Sequence, residues 1–400
     1  MDVWWACPGF GEALAAELRA AGEDPRPLGP ELLATAGTSQ EARERAHERA
    51  RERAPPEAPQ EAPQEAPQEA APLRDPVFAL QALPDAVEVR GDSIARLAAG
   101  ALDALAAPLD ACGPWVLHAL AGEDGALGTR ARRVGEALRA LFQEKRRRTA
   151  RRLLNADPSG LVPDVLTFEA VHEATVGDLR APAATAELLA TDLRLAQVLL
   201  LEPGRALVSC AAPRPTPAGG AWPEPRFPGG RVPVGPDPQA PSSAYRKAEE
   251  AFALLGRAPG PGQRCVDLGG APGGWSWTAL RRGAAVLAID RAPLLPPAAG
   301  HALLETRQGD AFRFAPEAPV DWLLCDVIAA PERTLEMLDR WLGAGWCRRF
   351  VVNVKFKGPE RAPALQALTD LLRRHGARAR VKHLVHDKNE VTAFGAAAGA

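Results

Sequence analysis

The stretch VDLGGAPGGW at residues 266–275 runs from apolar residues into four glycines and stops on a tryptophan. Gly269, Gly270, Gly273 and Gly274 permit a tight turn and let a ligand lie directly against the backbone, which is the behaviour of a nucleotide-type loop. A dinucleotide loop would read GxGxxG, whereas Ala271 holds the third position here and Pro272 follows it. Three carboxylates stand downstream: Asp290 at the end of AVLAID, Asp310 in RQGDAF and Asp326 in LLCDV. A strand-end carboxylate can accept hydrogen bonds from a ribose diol. One such residue is commonplace as a helix cap, but three beside a glycine loop make an acidic rim. That rim suits a cationic adenosine ligand better than a pyrophosphate, and so favours S-adenosylmethionine over NAD.

The elements that must position these residues follow from the pattern around them. After residue 245 the chain alternates: helix YRKAEEAFALLG, strand RCVDLG, helix GWSWTALRRG, strands AAVLAID and VDWLLCDV, helix ERTLEMLDRWLGAG, strand RFVVNVKF, helix APALQALTDLLRRHG, and last strands around ARVKHLVH and EVTAFG. This alternation predicts a doubly wound, mostly parallel sheet, whose ligands bind at the carboxyl ends of the strands. Lys355 closes the apolar run RFVVNV, so its ammonium must reach a partner or a cleft. Trp275 and Trp277 are read either as core or, for Trp275, as packing beside the cofactor.

Two composition shifts divide the rest. Residues 38–72 carry a charged segment and then the repeat EAPQEAPQEAPQ, with too few apolar side chains to offset ordering entropy. Residues 211–244 are crowded with Pro and Gly and exclude long elements. Between them, SIARLAAGALDALAAPL and RARRVGEALRALFQEKRRRTARRLL read as amphipathic helices and WVLHALA and AQVLLLEPGRALVSC as short strands, giving a mixed α/β module over 73–210. The first 37 residues are expected to pack onto that module.

Charge is uneven: residues 241–400 hold 22 Lys and Arg against 16 Asp and Glu, and residues 1–240 hold 26 against 34. A polyanionic partner is expected on the C-terminal part. Within the acidic half, EKRRRTARRLL places Arg146, Arg147, Arg148, Arg151 and Arg152 together, read either as a solvated helix face or as a phosphate-contacting helix. The six scattered cysteines show no zinc spacing, so no metal and no disulfide is expected. No run approaches the roughly 20 apolar residues of a membrane span and the first residues lack a secretory pattern, so a cytoplasmic protein without a membrane partner is expected.

The words VDLGGAPGGW, AID, QGD and CDV resemble the cofactor site of FtsJ-like RNA ribose 2′-O-methyltransferases. YRKAEEAF, GAGWCRRFVVNVKFKG, HDKNEVTAFG and the early ACPGFGEALAAEL are similar, more narrowly, to the bacterial branch that methylates a cytidine 2′-hydroxyl in 23S ribosomal RNA. The resemblance implies a Rossmann-like class I S-adenosylmethionine-dependent methyltransferase domain over 245–400, preceded by a THUMP-like RNA-binding domain. It implies a catalytic set of Lys247, Asp326, Lys355 and Glu390, with Lys355 as general base. A lysine serves as base only when neutral, which requires a pKa well below the ordinary lysine value; with two lysines facing two carboxylates the set is close to balanced, so position within the crevice decides. Cofactor contacts are implied at Ser242, Gly269, Pro272, Gly273, Gly274, Trp275, Asp290, Asp310 and Asp326. RNA, and not DNA, is the expected partner. A methyltransferase for tRNA or another RNA, and a non-catalytic RNA-binding or ribosome-assembly protein, are the alternatives.

Deleting residues 40–72 should leave folding and activity nearly intact, since a longer or shorter loop changes closure entropy only slightly. Loss of soluble, active protein in that deletion would make the repeat a functional element.

Overall fold

The computed structural model describes residues 1–29, 31–36, 75–121, 125–154, 194–215, 221–223, 228–232 and 234–399. The EAPQ repeat lies outside the described residues. Near the N-terminus, β1 (Asp2–Ala6), α1 (Gly11–Ala20), β2 (Arg26–Gly29), β3 (Leu32–Thr35) and β4 (Ala79–Leu83) form an antiparallel sheet in the order β2-β3-β1-β4. Alternation along β1 gives the sheet two apolar faces. Val3 and Trp5 pack with Leu199 and Leu207, while Trp4 and Ala6 join Leu14 and Leu18 of α1 in a core that extends to Val352 and Val354.

The middle module holds β5 (Val87–Arg90), α2 (Ile94–Asp110), β6 (Trp115–Ala121), α3 (Ala126–Lys145), a single turn α4 (Arg147–Ala150), β7 (Arg194–Glu202) and β8 (Arg205–Ala211). Its sheet runs β5-β8-β7-β6, with β6 and β7 parallel. Ser93 caps α2 by accepting from the Arg96 N–H at 3.3 Å. The arginine-rich run differs from a continuous helix, because the backbone breaks at Arg146 (φ −137°, ψ 54°). At the break Arg146 reaches Asp110 at 2.8 Å, and beyond it Arg152 turns back onto the Leu109 carbonyl at 2.9 Å.

Two three-residue strands, β9 (Pro213–Pro215) and β10 (Ala221–Pro223), precede the C-terminal part. There, α5 (Tyr245–Leu255), β11 (Arg264–Leu268), α6 (Gly274–Leu280), β12 (Ala285–Asp290), β13 (Leu304–Gln308), β14 (Val320–Cys325), α7 (Pro331–Gly343), β15 (Cys347–Lys355), α8 (Ala362–Arg374), β16 (Arg378–Lys382) and β17 (Glu390–Ala396) follow in turn. They build a seven-stranded sheet in the order β13-β12-β11-β14-β15-β17-β16, parallel except for the pairs made by β17. Strand order reverses at β11, so a crevice opens between the ends of β11 and β14. β13 is an addition to the strands read from sequence: LETRQ is nearly all exposed at the sheet edge and lacks the apolar signal of the inner strands.

The two helices flanking the crevice are joined by a buried ion pair, in which Arg282 just beyond α6 donates to Glu249 of α5 at 2.7 Å; the Arg282 side chain is 0% exposed. Arg282→Ala should cost about 3–5 kcal/mol, because it leaves a buried carboxylate uncompensated. Denaturant unfolding with a loss under about 1 kcal/mol, the size typical of an exposed pair, would remove this pair from the fold's supports.

Candidate active site

The glycine loop turns where β11 ends, and its bareness is needed. Gly269 has φ +77°, and a Cβ there would stand 2.4 Å from the Val327 side chain; a Cβ at Gly274 would meet the Ser242 hydroxyl at 2.4 Å. Asp290, at the end of β12, accepts the Ala271 N–H at 3.0 Å and the Ala292 N–H at 2.9 Å. One carboxylate therefore fixes the loop's shape and still has lone pairs to offer.

On the other wall, four charges close into a ring of alternating sign. Lys247 of α5 lies 2.8 Å from Glu390 Oε1 and 3.3 Å from both Asp326 oxygens. Lys355 ion-pairs with Asp326 and reaches Glu390 Oε2 at 3.2 Å. Strand register enforces this: Lys355 pairs with Glu390 across β15 and β17, and Asp326 follows Cys325 at the end of β14. The four side chains are 7–19% exposed. Asn353, fully buried, donates to Asp326 Oδ1 at 3.1 Å.

The lowered Lys355 pKa expected from sequence is not what this geometry gives. Burial pulls the ammonium down, but the charges and hydrogen bonds of Asp326 and Glu390 outweigh it and hold the pKa above the ordinary lysine value. Burial likewise pushes Glu390 up, and the two lysines overcome it, so this carboxyl sits below its usual range.

The two walls face one cavity of about 750 Å³, and Ser242, Gly269, Pro272, Gly274, Trp275, Asp290 and all four ring residues line it. The Ser242 hydroxyl is buried and has no hydrogen-bond partner among the described residues. Trp275 is both core and cavity wall, with its indole N–H on the Ala244 carbonyl at 2.9 Å. Two residues expected here do not line the cavity: Gly273 faces Ala298 and Pro241, and Asp310 is engaged with Arg291 at 3.2 Å. In the arginine run, Arg147, Arg148 and Arg151 are exposed. Sequence reasoning missed Asn353, although a lone amide two residues before Lys355 in VVNVK must share that lysine's face of the strand.

The C-terminal part has a Rossmann-like fold, with a glycine loop and a charged ring facing one cavity at the carboxyl ends of its parallel strands. Residues 243–347 match the FtsJ-like methyltransferase family. Relatives named ribosomal RNA large subunit methyltransferase M are 41% identical over 160 residues in Halorhodospira halophila, covering 39% of this chain and 47% of that one. The Laribacter hongkongensis protein of the same name is 41% identical over 170 residues, with the same shares covered. The chain thus spans about half the length of the curated relatives it matches. The Methanococcus jannaschii fibrillarin pre-rRNA processing protein aligns with 17% identity over 40% of this chain and 77% of its own, at a TM-score of only 0.31. No helix among the described residues is long and apolar enough to cross a membrane.

Beneath the loop, Asp267 is 1% exposed, accepts from the Ser276 hydroxyl at 2.6 Å, and leaves Oδ1 without a partner among the described residues. Burial pushes its pKa up to about 7. The folded chain then holds a proton that the unfolded chain loses near pH 4. That stability is present at pH 4 and lost as the pH rises through about 7. Asp267→Asn keeps an acceptor for Ser276, so its melting temperature relative to wild type should climb between pH 4 and pH 8. A constant difference across that range would mean that Asp267 ionises as an ordinary carboxyl.

Proposed function

We propose that this chain methylates a ribose 2′-hydroxyl of RNA, at a cytidine of 23S ribosomal RNA, using S-adenosylmethionine. The observation that carries the reading is the ring of Lys247, Asp326, Lys355 and Glu390 standing in the same cavity as the glycine loop. The relatives' names and the FtsJ-like domain support the RNA substrate.

The cavity residues fit the cofactor. Gly269 and Gly274 leave no volume for side chains, Asp290 can accept from a diol, and the Ser242 hydroxyl lacks a partner among the described residues. These residues would hold the adenosine part, and the bound cofactor would supply a methyl group on a cationic sulfur. The chain's own work lies on the hydroxyl side. An alcohol is a poor nucleophile until its proton has somewhere to go, and a neutral amine can take it. Lys355 receives that proton, Asp326 and Lys247 fix the amine's position, and Asn353 fixes Asp326. Alignment of the hydroxyl supplies most of the remaining acceleration.

Because Asp326 and Glu390 hold Lys355 as an ammonium, only the fraction that has lost its proton is competent. Activity should therefore rise with pH into the alkaline range, through a pKa that belongs to the coupled ring. The THUMP-like module is assigned to RNA binding, with Arg147, Arg148 and Arg151 as its phosphate contacts. Arg146 and Arg152 are held by Asp110 and by the Leu109 carbonyl.

Lys355→Arg separates a base from a positioning charge, since guanidinium stays protonated at any accessible pH. Single-turnover transfer from labelled cofactor to saturating RNA should fall by at least about 100-fold, the low end for a lost general base, with cofactor affinity unchanged. A near-normal rate in this variant would mean that the proton leaves by another route.

A further inference from the structure

Asn389 stands one residue before Glu390, and its side chain makes three hydrogen bonds, all to the segment that follows Lys355. It donates to the Phe356 carbonyl at 3.2 Å and the Gly358 carbonyl at 3.0 Å, and accepts from Arg361 Nε at 2.9 Å. Its own carbonyl accepts the Phe356 N–H at 2.9 Å. The chain leaving one ring lysine is thereby sewn to the chain entering one ring carboxylate.

The far side of this seam is covered by the N-terminal sheet. The Arg361 guanidinium lies over the Phe10 ring at 5.0 Å. Phe10 stacks on Phe78 at 5.3 Å and lies 3.9 Å from the His383 ring. His383 Nδ1 contacts the Glu390 carbonyl at 2.8 Å. A carbonyl only accepts, so Nδ1 carries the proton. The His383 backbone N–H donates to the Val77 carbonyl at 2.9 Å. Residues of the first strand-helix connection and of the segment entering β4 therefore brace the two strands that carry Lys355 and Glu390. Asn389 lines the same cavity as the glycine loop, but the hydrogen bonds of its side chain go to residues 356, 358 and 361.

We infer that Asn389 is a positioning residue for the Lys355–Glu390 pair, and that Phe10 acts through it and through His383, making the N-terminal sheet a working part of the active-site wall. This rests on the reading of the ring as the reactive group. The chemistry needs all three of the Asn389 contacts: aspartate would lose both donors, and leucine, of similar volume, would lose every hydrogen bond.

The test uses the full chain with Asn389→Leu, Phe10→Ala and Phe10→Tyr. In Asn389→Leu the single-turnover rate should drop on the order of 10–100-fold, as for a sub-ångström misplacement of a reacting group, while the Kd for S-adenosylmethionine stays within about twofold. Phe10→Ala should lower the rate by less, again with the Kd within about twofold, and Phe10→Tyr, which keeps the ring, should keep the wild-type rate. A second readout needs no turnover: carbon-13 NMR titration of the Glu390 carboxyl, which is faced by Lys247, Lys355, Asp326, His383 and the Lys388 N–H. In Asn389→Leu it should titrate nearer the ordinary glutamate value than in wild type. A folded Asn389→Leu chain with the wild-type rate and wild-type Glu390 titration overturns the inference. If wild type transfers no methyl group to RNA, the proposed function fails, and the Glu390 titration alone then decides the positioning role.

Discussion

The alternating ring of Lys247, Asp326, Lys355 and Glu390 is the constraint on which the rest of the site depends. Four charges removed this far from water are tolerable only because each touches two of opposite sign. Removing one leaves its two neighbours sharing a single partner of opposite charge. The ring draws on a helix and the ends of three strands, from residue 247 to residue 390, so it exists only when helix and sheet are docked. Folding and the proposed chemistry therefore share one set of contacts.

The two walls of the cavity are built by different physics. The glycine wall is shaped by backbone: positive φ at Gly269, close approach at Gly274, and Asp290 holding two N–H groups. The charged wall is shaped by strand register and by long-range side-chain bonds, including those of Asn353 and Asn389. The loop and Asp290 of the first wall come from one β-α-β unit, with Val327 and Ser242 packed against its glycines. The second reaches across the sheet to the N-terminal strands, which places residues near position 10 within reach of the chemistry.

The legible and illegible parts of this architecture divide along the same line. Alternating apolar strands and amphipathic helices announce the doubly wound sheet, and the run VDLGGAPGGW announces the loop. Strand β13 carries no apolar signal because it lies at the edge, and it had to be seen in place. At the break Arg146 pairs with Asp110, 36 residues away, a contact that no local pattern reports. The sign of the Lys355 shift was out of reach as well. A count of two lysines and two carboxylates is balanced, and only distances reveal that both carboxylates lie against Lys355. Asn389 looks like an ordinary polar residue in HDKNEV, since its partners are more than 25 residues away.

If the ring prepares a ribose hydroxyl, and not a base nitrogen or carbon, the transferred methyl group must end on the sugar. The most direct measurement is the fate of label from methyl-labelled S-adenosylmethionine after incubation of the chain with 23S ribosomal RNA, followed by alkaline hydrolysis. A 2′-O-methyl group blocks cleavage of the neighbouring phosphodiester, so the expected label runs as an alkali-resistant dinucleotide that yields 2′-O-methylcytidine on enzymatic digestion. Label released in a mononucleotide with a methylated base would contradict the role given to Lys355 and its partners.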